Sequence, residues 1–262
     1  MSDVGYVDTH CHLDHHWEAS VDEQVARARA AGVHRLVTIG TDLVSSRQAV
    51  DAAFSHDGVW AVVGIHPNDA DEATGSVLAE IEELAADPRV VGVGETGLDR
   101  YRDATTPEQQ DEAFRAHIEI AKRTGRTLVI HCRDAWEPCL ETLEDQGAPD
   151  RVVMHCFSGD AGIVARCAEH GWFMSFAGNV TFTNAGPLRA AAASVPAELL
   201  LTETDSPFLT PHPHRGTPNE PRHVPLVIEA LAAVHERSPD WMREQVWENS
   251  GRAFAFAEAG VN

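Results

Sequence analysis

Short apolar runs alternate along the chain with longer segments in which apolar residues recur every three or four positions. The short runs predict strands, and the longer periodic segments predict helices. The predicted strands are Gly5–Thr9, Arg35–Ile39, Val59–Ile65, Val90–Gly94, Thr127–His131, Arg151–His155, Trp172–Phe176 and Leu199–Thr202. The predicted helices include Asp22–Ala31, Leu43–Ala53, Val77–Ala86, Glu108–Arg123, Ile163–Glu169 and, after the last strand, Pro221–Glu236 and Asp240–Glu258.

The helix predicted over residues 108–123 has the clearest end signals. Thr106 is suited to the N-cap, Pro107 to the first helical position, and Gln109 to the third position of a capping box. Gly125 follows the predicted last turn, where glycine commonly ends a helix. The sequence therefore predicts both ends of this helix.

Eight strands that alternate with helices in 262 residues are typical of an α/β protein with a (β/α)8 TIM barrel. We expect a single domain over residues 1–262, and an open doubly wound sheet is the alternative. A barrel of this kind has its active site at the C-terminal ends of its strands. Polar residues at those ends are therefore the candidates for chemistry.

Histidines and carboxylates lie at the predicted strand ends. His10 and His12 follow the first strand, and alternate residues of a strand share a face, so both imidazoles can point at one position. The polar residues at or just after the other strand ends are His66, Glu95, His131, His155 and Asp205.

Sequence spacing suggests that six of these residues converge. The gaps between them correspond to whole βα units, so they can lie on one ring: His10, His12, Glu95, His131, His155 and Asp205. Four imidazoles and two carboxylates exceed what one divalent ion with an open position needs. They predict two ions with a shared carboxylate, an arrangement that activates water and binds a phosphoryl group. Taken singly, each residue has an ordinary alternative as a structural histidine or an N-cap carboxylate.

Three cysteines adjoin the candidate ligands in sequence. If the histidines beside Cys11, Cys132 and Cys156 point at the site, strand alternation directs the thiols away from it. We therefore expect buried thiols rather than metal ligands. The chain has five cysteines in no paired pattern, which favours a reducing cytoplasmic location without disulfides.

The chain has no apolar run near the roughly 20 residues of a membrane helix and no basic and apolar leader at its start, so we expect neither a membrane span nor secretion. Its net charge is −21, which argues against a wide basic track for nucleic acid. A solvated acidic surface is the simplest interpretation of that charge. Any positive patch at the site would depend on a few arginines: Arg100, Arg102, Arg133, Arg215 and Arg222.

The remaining histidines have ordinary interpretations. Those in helical or surface contexts are expected to be solvated: His34, His56, His117, His170 and His235. Those on loops at the same end as the candidate site are expected to be solvated rim residues: His15, His16, His212 and His214.

With these residues assembled, the chain resembles the TatD family of metal-dependent deoxyribonucleases, within the amidohydrolase-like barrels. The motifs run in family order along the chain: "DTHCHL" (8–13), "GIHP" (64–67), "GETGLD" (94–99), "IHCRDA" (130–135), "HCFSG" (155–159), "ETDSP" (203–207) and "RGTPNEP" (215–221). One departure is the pair Thr217 and Pro218, where the family often has basic residues. Each motif is short, but together they are specific and they extend over the whole chain.

The resemblance implies an assignment of metal ligands. One ion would be held by His10, His12, Glu95 and Asp205, and the other by Glu95, His131 and His155, so that Glu95 bridges. Related amidohydrolases often bridge with a carbamylated lysine, but the only lysine, Lys122, lies in a predicted helix end. The resemblance points to Mg or Mn, whereas histidine-rich ligation also accepts Zn or Co.

The resemblance also implies a nuclease that cleaves DNA phosphodiester bonds from the 3′ end and prefers single strands or strand ends. Asp205 would accept a proton from the attacking water, with Glu95 as the shared catalytic carboxylate. His66, Arg133 and Asn219 would contact the substrate. No membrane and no obligatory protein partner is implied. Two alternatives stay open: an ester or amide hydrolase, such as an aminoacyl-tRNA deacylase, and a barrel that binds metal without catalysis.

Overall fold

The computed structural model describes residues 4–13, 19–102 and 104–256. Its strands are β1 (Tyr6–Cys11), β2 (Val33–Ile39), β3 (Val59–Val63), β4 (Val90–Asp99), β5 (Thr127–Arg133), β6 (Val152–Met154), β7 (Phe173–Phe176) and β8 (Leu200–Thr202). They form one sheet in the order β1 to β8, with parallel pairing such as that of β3 with β4 and of β7 with β8. The predicted (β/α)8 TIM barrel, and not the doubly wound alternative, is therefore the fold.

Helices separate the strands as the periodicity predicts. They are α1 (Val21–Ala30), α2 (Leu43–Ser55), α3 (Gly75–Ala85), α4 (Pro107–Thr124), α5 (Trp136–Gln146), α6 (Ala161–Glu169), α7 (Gly186–Ser194), α8 (Val224–Val234) and α9 (Pro239–Phe254). The helix predicted from Pro221 begins as a 3-10 turn before α8. The end predicted for the last helix, Glu258, lies outside the described residues. The ends of α4 match the prediction, with the Thr106–Gln109 capping box and a left-handed Gly125.

The chain packs as two compact units. The first unit comprises Met1–Val37 and Cys156–Arg252, and it contains β1, α1, β7, β8 and α6 to α9. The second unit comprises Thr38–His155 and Ala253–Asn262, and it contains α2 to α5 and β3 to β6. Buried apolar residues lie in both units. In the second, every residue of β3 is buried, as expected for parallel strands covered on both faces.

The largest difference from the prediction is in β4, which was expected to end at Gly94 and extends to Asp99. Its register with β5 shifts between Val93 and Thr96, because one extra β4 residue is accommodated there as a bulge. Gly94 has φ of 142°, and a Cβ on it would lie 2.3 Å from the carbonyl oxygen of Val129. The glycine that resembles a strand end in sequence is therefore a bulge residue inside the strand.

Within the described ranges, no helix is long and apolar enough to cross a membrane. The five cysteines carry thiols and form no disulfide bonds.

Candidate metal centre

In the first unit, two histidines and an aspartate converge. His10 and His12 lie at the end of β1, and their Nε2 atoms are 3.9 and 3.6 Å from Oδ1 of Asp205. One ligand atom from each of the three residues lies within 4.8 Å of the others. His10 is fully buried and His12 nearly so, whereas the Asp205 side chain keeps 15% exposure. Asp205 is thus the solvent-facing member of this cluster.

Backbone pairing fixes Asp205 against β1. Its N–H donates to the carbonyl of His10 at 2.9 Å, and the His12 N–H donates to the carbonyl of Ser206 at 2.9 Å. Asp205 has φ of 52°, a left-handed conformation that aspartate tolerates better than most residues. Such conformations occur frequently at functional sites.

A buried carboxylate supports this cluster from β1. Asp8 accepts hydrogen bonds from the Thr204 N–H at 2.9 Å, the Thr204 hydroxyl at 2.5 Å and the His10 N–H at 3.3 Å. Burial raises the pKa of Asp8 to about 8, although the hydrogen bonds from Thr204 and His10 act in the opposite direction. Sequence reasoning missed Asp8, although its place two residues before His10 on the same strand was a usable signal.

In the second unit, three imidazoles surround one carboxylate oxygen. Oε1 of Glu95 is 2.9 Å from His131 Nδ1, 3.1 Å from His155 Nε2 and 3.5 Å from His66 Nε2. Ligand atoms of His66, Glu95 and His131 lie within 4.8 Å of one another. His66 was predicted to contact substrate, and it is a member of this group. Its Nδ1 accepts a hydrogen bond from the Asn68 N–H at 3.0 Å, which orients Nε2 toward Glu95.

Asp99, at the end of β4, connects to the same cluster. Its Oδ2 is 3.1 Å from His131 Nε2, and its Oδ1 accepts the backbone N–H groups of Tyr101 and Arg102 at 2.8 and 3.0 Å. Burial alone would raise the pKa of Asp99, but the hydrogen bonds from His131 and the two N–H groups outweigh it and lower that pKa. Burial would likewise lower the pKa of His131, and its bonds to Asp99 and Glu95 raise it instead.

Asp99 and Glu203 were both missed from sequence. Asp99 lies four residues after Glu95 on one strand, an even separation that places both on the same face. Glu203 lies two residues before Asp205, is fully buried, and accepts the Cys156 N–H at 2.8 Å. The even spacing from a candidate ligand was in each case the signal that could have found the residue.

Arg133 and Asn219, the other predicted substrate residues, have different environments. Arg133 is exposed at the end of β5, and its Cζ lies 3.7 Å from the centre of the Tyr101 ring. Asn219 is fully buried, and its amide donates to the carbonyls of Thr204 and Phe208 at 2.9 and 2.8 Å. Asn219 therefore holds the segment from Thr204 to Phe208, which contains Asp205, in place. Its role as a substrate contact stays a prediction.

No cysteine and no lysine is a member of the clusters that the described residues form. The candidate clusters in the described chain contain only histidines and carboxylates. Cys11 is buried and donates a hydrogen bond from Sγ to the Val37 carbonyl at 3.4 Å, so its thiol faces away from its histidine neighbours. Lys122 contacts Glu119 and the Gln146 carbonyl at 2.9 and 2.7 Å, on the helices rather than at the strand ends.

Among the histidines that were expected to be solvated, His117 differs most from the expectation, His34, His56 and His235 are partly buried, and His170 is exposed. His117 was expected to be solvated, but it is fully buried. Its Nδ1–H donates to the Ala113 carbonyl at 2.7 Å, and its Nε2 accepts the Ile65 N–H at 3.0 Å. His212 and His214 are exposed as expected, and His15 and His16 lie outside the described residues.

The five arginines of the expected positive patch are divided between the units. Arg100, Arg102 and Arg133 belong to the second unit, where the Arg100 guanidinium donates to Gln110 at 2.7 Å. Arg215 and Arg222 belong to the first unit, and Arg222 pairs with Glu220 at 3.3 Å. The charge of Arg222 is therefore partly neutralised within the protein.

Comparison with known proteins identifies the family of the chain. The family model described as "TatD related DNase" matches residues 7–255. The chain belongs to this family. A Mycobacterium tuberculosis relative described as an uncharacterized metal-dependent hydrolase TatD is 45% identical over 256 residues, which cover 95% of this chain and 97% of the relative.

Two further relatives extend the comparison. A Klebsiella pneumoniae protein described as a 3′-5′ ssDNA/RNA exonuclease TatD is 36% identical over 247 residues, 92% of this chain and 94% of that protein. The crystal structure of YJJV, a TatD homologue from Escherichia coli K12, superposes with a TM-score of 0.91 at 26% identity and covers 97% of this chain and 100% of that one. The barrel fold and the family are thus common to these proteins.

The side chains of this TatD family member fit divalent ions. Imidazole nitrogens and carboxylate oxygens suit Zn, Mn and related metals, and the two clusters combine both donor types. Buried carboxylates behind the clusters, Asp8 and Asp99, bind the backbone or side chain of a candidate ligand, as supporting groups of metal sites commonly do.

Proposed function

We propose that this TatD family member is a nuclease that cleaves DNA phosphodiester bonds with two divalent ions, working on single strands from the 3′ end. Family membership makes the chain a metal-dependent hydrolase. The finer proposal rests chiefly on one observation, the presence of a histidine–carboxylate cluster in each of the two units. The Klebsiella relative is named for a 3′-5′ exonuclease activity on single strands, which supports the proposed substrate and polarity.

The proposed ligands follow the two clusters. His10, His12 and Asp205 would hold one ion, His131 and His155 the other, and Glu95 would contribute to both. His66 Nε2 is 3.5 Å from Glu95. Because its Nδ1 accepts the Asn68 N–H, the neutral ring carries its proton on Nε2, which suits the predicted phosphate contact. When bound, such ions lower the pKa of a coordinated water and polarise a phosphoryl oxygen.

The protein's own groups would then position the substrate and move protons. Asp205 is the partly exposed carboxylate of its cluster, and it would accept the proton of the attacking water. The Arg133 guanidinium is exposed two residues beyond His131 and offers a planar pair of donors that suits phosphate oxygens. Asn219 would keep the Asp205 segment in place through its two carbonyl contacts.

Turnover on a substrate panel tests the activity. Metal-reconstituted protein is incubated with 3′- and 5′-labelled single-stranded DNA, duplex DNA, RNA, aminoacyl-tRNA and a simple phosphodiester. We expect stepwise shortening from the 3′ end, fastest on single-stranded DNA, and no cleavage by the Asp205→Ala variant. Hydrolysis of aminoacyl-tRNA without cleavage of any nucleic acid would replace the nuclease with the deacylase alternative. Equal cleavage of circular and linear single strands would exclude dependence on a free end.

Metal content tests the two-ion proposal separately. We expect two ions per wild-type chain and one after the double substitution of His131→Ala with His155→Ala. Glu95→Ala should weaken both sites because it is proposed to contact both ions. A stoichiometry of one that the double substitution leaves unchanged would contradict two-metal binding, whatever the activity on DNA.

A further inference from the structure

Beside the cluster of the second unit, an aromatic side chain is held in an exposed position. Tyr101 follows β4 and keeps 62% of its surface exposed, although the Arg133 guanidinium covers one face of its ring at 3.7 Å. The opposite face of the ring is therefore open to solvent. Proteins that bind single-stranded nucleic acid stack bases on exposed aromatic faces of this kind, often with an arginine beside the ring.

Hydrogen bonds connect the backbone of Tyr101 to a candidate ligand through Asp99. The Tyr101 N–H donates to Asp99 Oδ1 at 2.8 Å, and Asp99 Oδ2 lies 3.1 Å from His131. On the other side of the pair, Arg133 is paired in register with Asp99 and lies two residues beyond His131 on β5. Its carbonyl accepts the Arg100 N–H at 2.9 Å. Tyr101 and Arg133 are thus both anchored within one or two residues of the cluster.

We propose that the open face of Tyr101 is a stacking platform for one nucleobase of a single-stranded substrate, next to a phosphate that the Arg133 guanidinium binds. This inference rests on the proposed nuclease function and deepens it, because it assigns a base subsite to a chain whose other candidate contacts are to phosphate. Every base has a flat π face, so the platform accepts any sequence. Stacking does not depend on attraction between charges, so it can contribute to binding of a polyanion by a protein whose net charge is −21.

Binding to oligonucleotides with single abasic sites tests the platform directly. The Asp205→Asn variant serves as the non-cleaving background, and an abasic unit is placed in turn at each of the three nucleotides at the 3′ end. We expect the abasic unit to weaken binding about tenfold at one of these positions. In the Asp205→Asn, Tyr101→Leu double variant, binding of the unmodified strand falls by a similar factor, and the same abasic unit has no further effect.

Two control variants separate stacking from general damage. Tyr101→Phe keeps the ring and should keep both the affinity and the abasic sensitivity. Phe54→Leu removes an aromatic side chain of similar exposure, 56%, from the end of α2, which precedes β3 and so lies at the other end of the strands of this unit. It should leave binding unchanged.

Salt dependence distinguishes the two members of the pair. The loss caused by Tyr101→Leu should be the same at low and high salt, whereas the loss caused by Arg133→Ala should shrink as salt rises, because a phosphate contact releases counterions. Absence of binding by any oligonucleotide, insensitivity to every abasic position, or abasic sensitivity that persists in the Tyr101→Leu background would each overturn the platform. If the platform behaves as expected while the wild-type protein loaded with metal cleaves no strand, the platform stands and the nuclease proposal fails.

Discussion

His131 and Asp99 are joined by a 3.1 Å contact between Nε2 and Oδ2, on the side of the imidazole opposite Glu95. The carboxylate accepts a hydrogen bond and so favours the tautomer with the proton on Nε2. With an ion bound in place of a proton, Nδ1 would then be the lone-pair donor directed toward it. We therefore expect Asp99 to select which nitrogen of His131 binds a metal.

Asp99→Asn should weaken metal binding in the second unit about 10- to 100-fold, the range for loss of a group that orients a histidine ligand. The amide Oδ1 can still accept the Tyr101 and Arg102 N–H groups, so its NH2 is directed at His131 Nε2 and opposes the required tautomer. Titration calorimetry with Zn or Mn measures the effect. Asp111→Asn, which changes an aspartate that pairs with Arg115 on α4, is the matched control. Equal affinities of the two variants would remove Asp99 from this role.

Gly97→Ala should both destabilise the protein and disturb the cluster of the second unit. Gly97 has φ of 132°, and a Cβ there would lie 2.2 Å from the carbonyl oxygen of His131, so β5 must shift at a candidate ligand. The backbone strain and the contact together should cost about 2 kcal/mol or more, measured by urea unfolding. Gly75→Ala, at the start of α3 with nothing within 4 Å of the new Cβ, should be neutral or slightly stabilising. Similar stabilities of the two variants would contradict the close approach.

Replacing Cys11, Cys132 and Cys156 together by alanine should leave the metal stoichiometry unchanged. The thiols of Cys11 and Cys132 are buried, and the candidate clusters in the described chain contain none of the three. The variant should lose stability through small cavities. Metal analysis of the folded variant decides the matter, and loss of one ion per chain would mean that a thiolate is a ligand.

His117 should make the free energy of unfolding of the metal-free protein fall with decreasing pH. Burial lowers its pKa in the folded state from 6.5 to about 4, although its bond to the Ala113 carbonyl acts in the opposite direction. The unfolded chain therefore binds a proton between pH 6.5 and 4 that the folded chain does not. The stabilisation is complete above pH 6.5 and decreases by about 1.4 kcal/mol per pH unit, to a loss of about 3 kcal/mol at pH 4.

Urea unfolding in EDTA at several pH values, compared between the wild type and His117→Gln, isolates this contribution. The variant should be less stable at pH 7 and should show a shallower fall between pH 6.5 and 4. His170→Gln serves as the control for removal of an exposed histidine. If the wild type and His117→Gln have parallel pH profiles, a group other than His117 is responsible for the dependence.

The sequence by itself determined the alternation of strands and helices, because apolar runs and helical periodicity are local properties of the chain. The choice between a barrel and an open doubly wound sheet depended on the order of the strands in the sheet, which only the tertiary structure shows. The sequence also determined the ends of α4, where the cap from Thr106 to Gln109 involves only neighbouring residues. His10 and His12 could be paired from sequence for the same reason, since two residues on one strand share a face whatever surrounds them.

Only the tertiary structure decided which side chains support those residues. The glycines around Glu95 resemble a strand end in sequence, yet the carbonyls of Val129 and His131 on β5 approach Gly94 and Gly97 too closely for any side chain. His117 has the sequence context of a surface helix, but packing against Ile65 from a distant segment buries it. The contact of Asp99 with His131 joins two strands that helix α4 separates along the chain, and local sequence patterns do not show how close such residues lie in the fold.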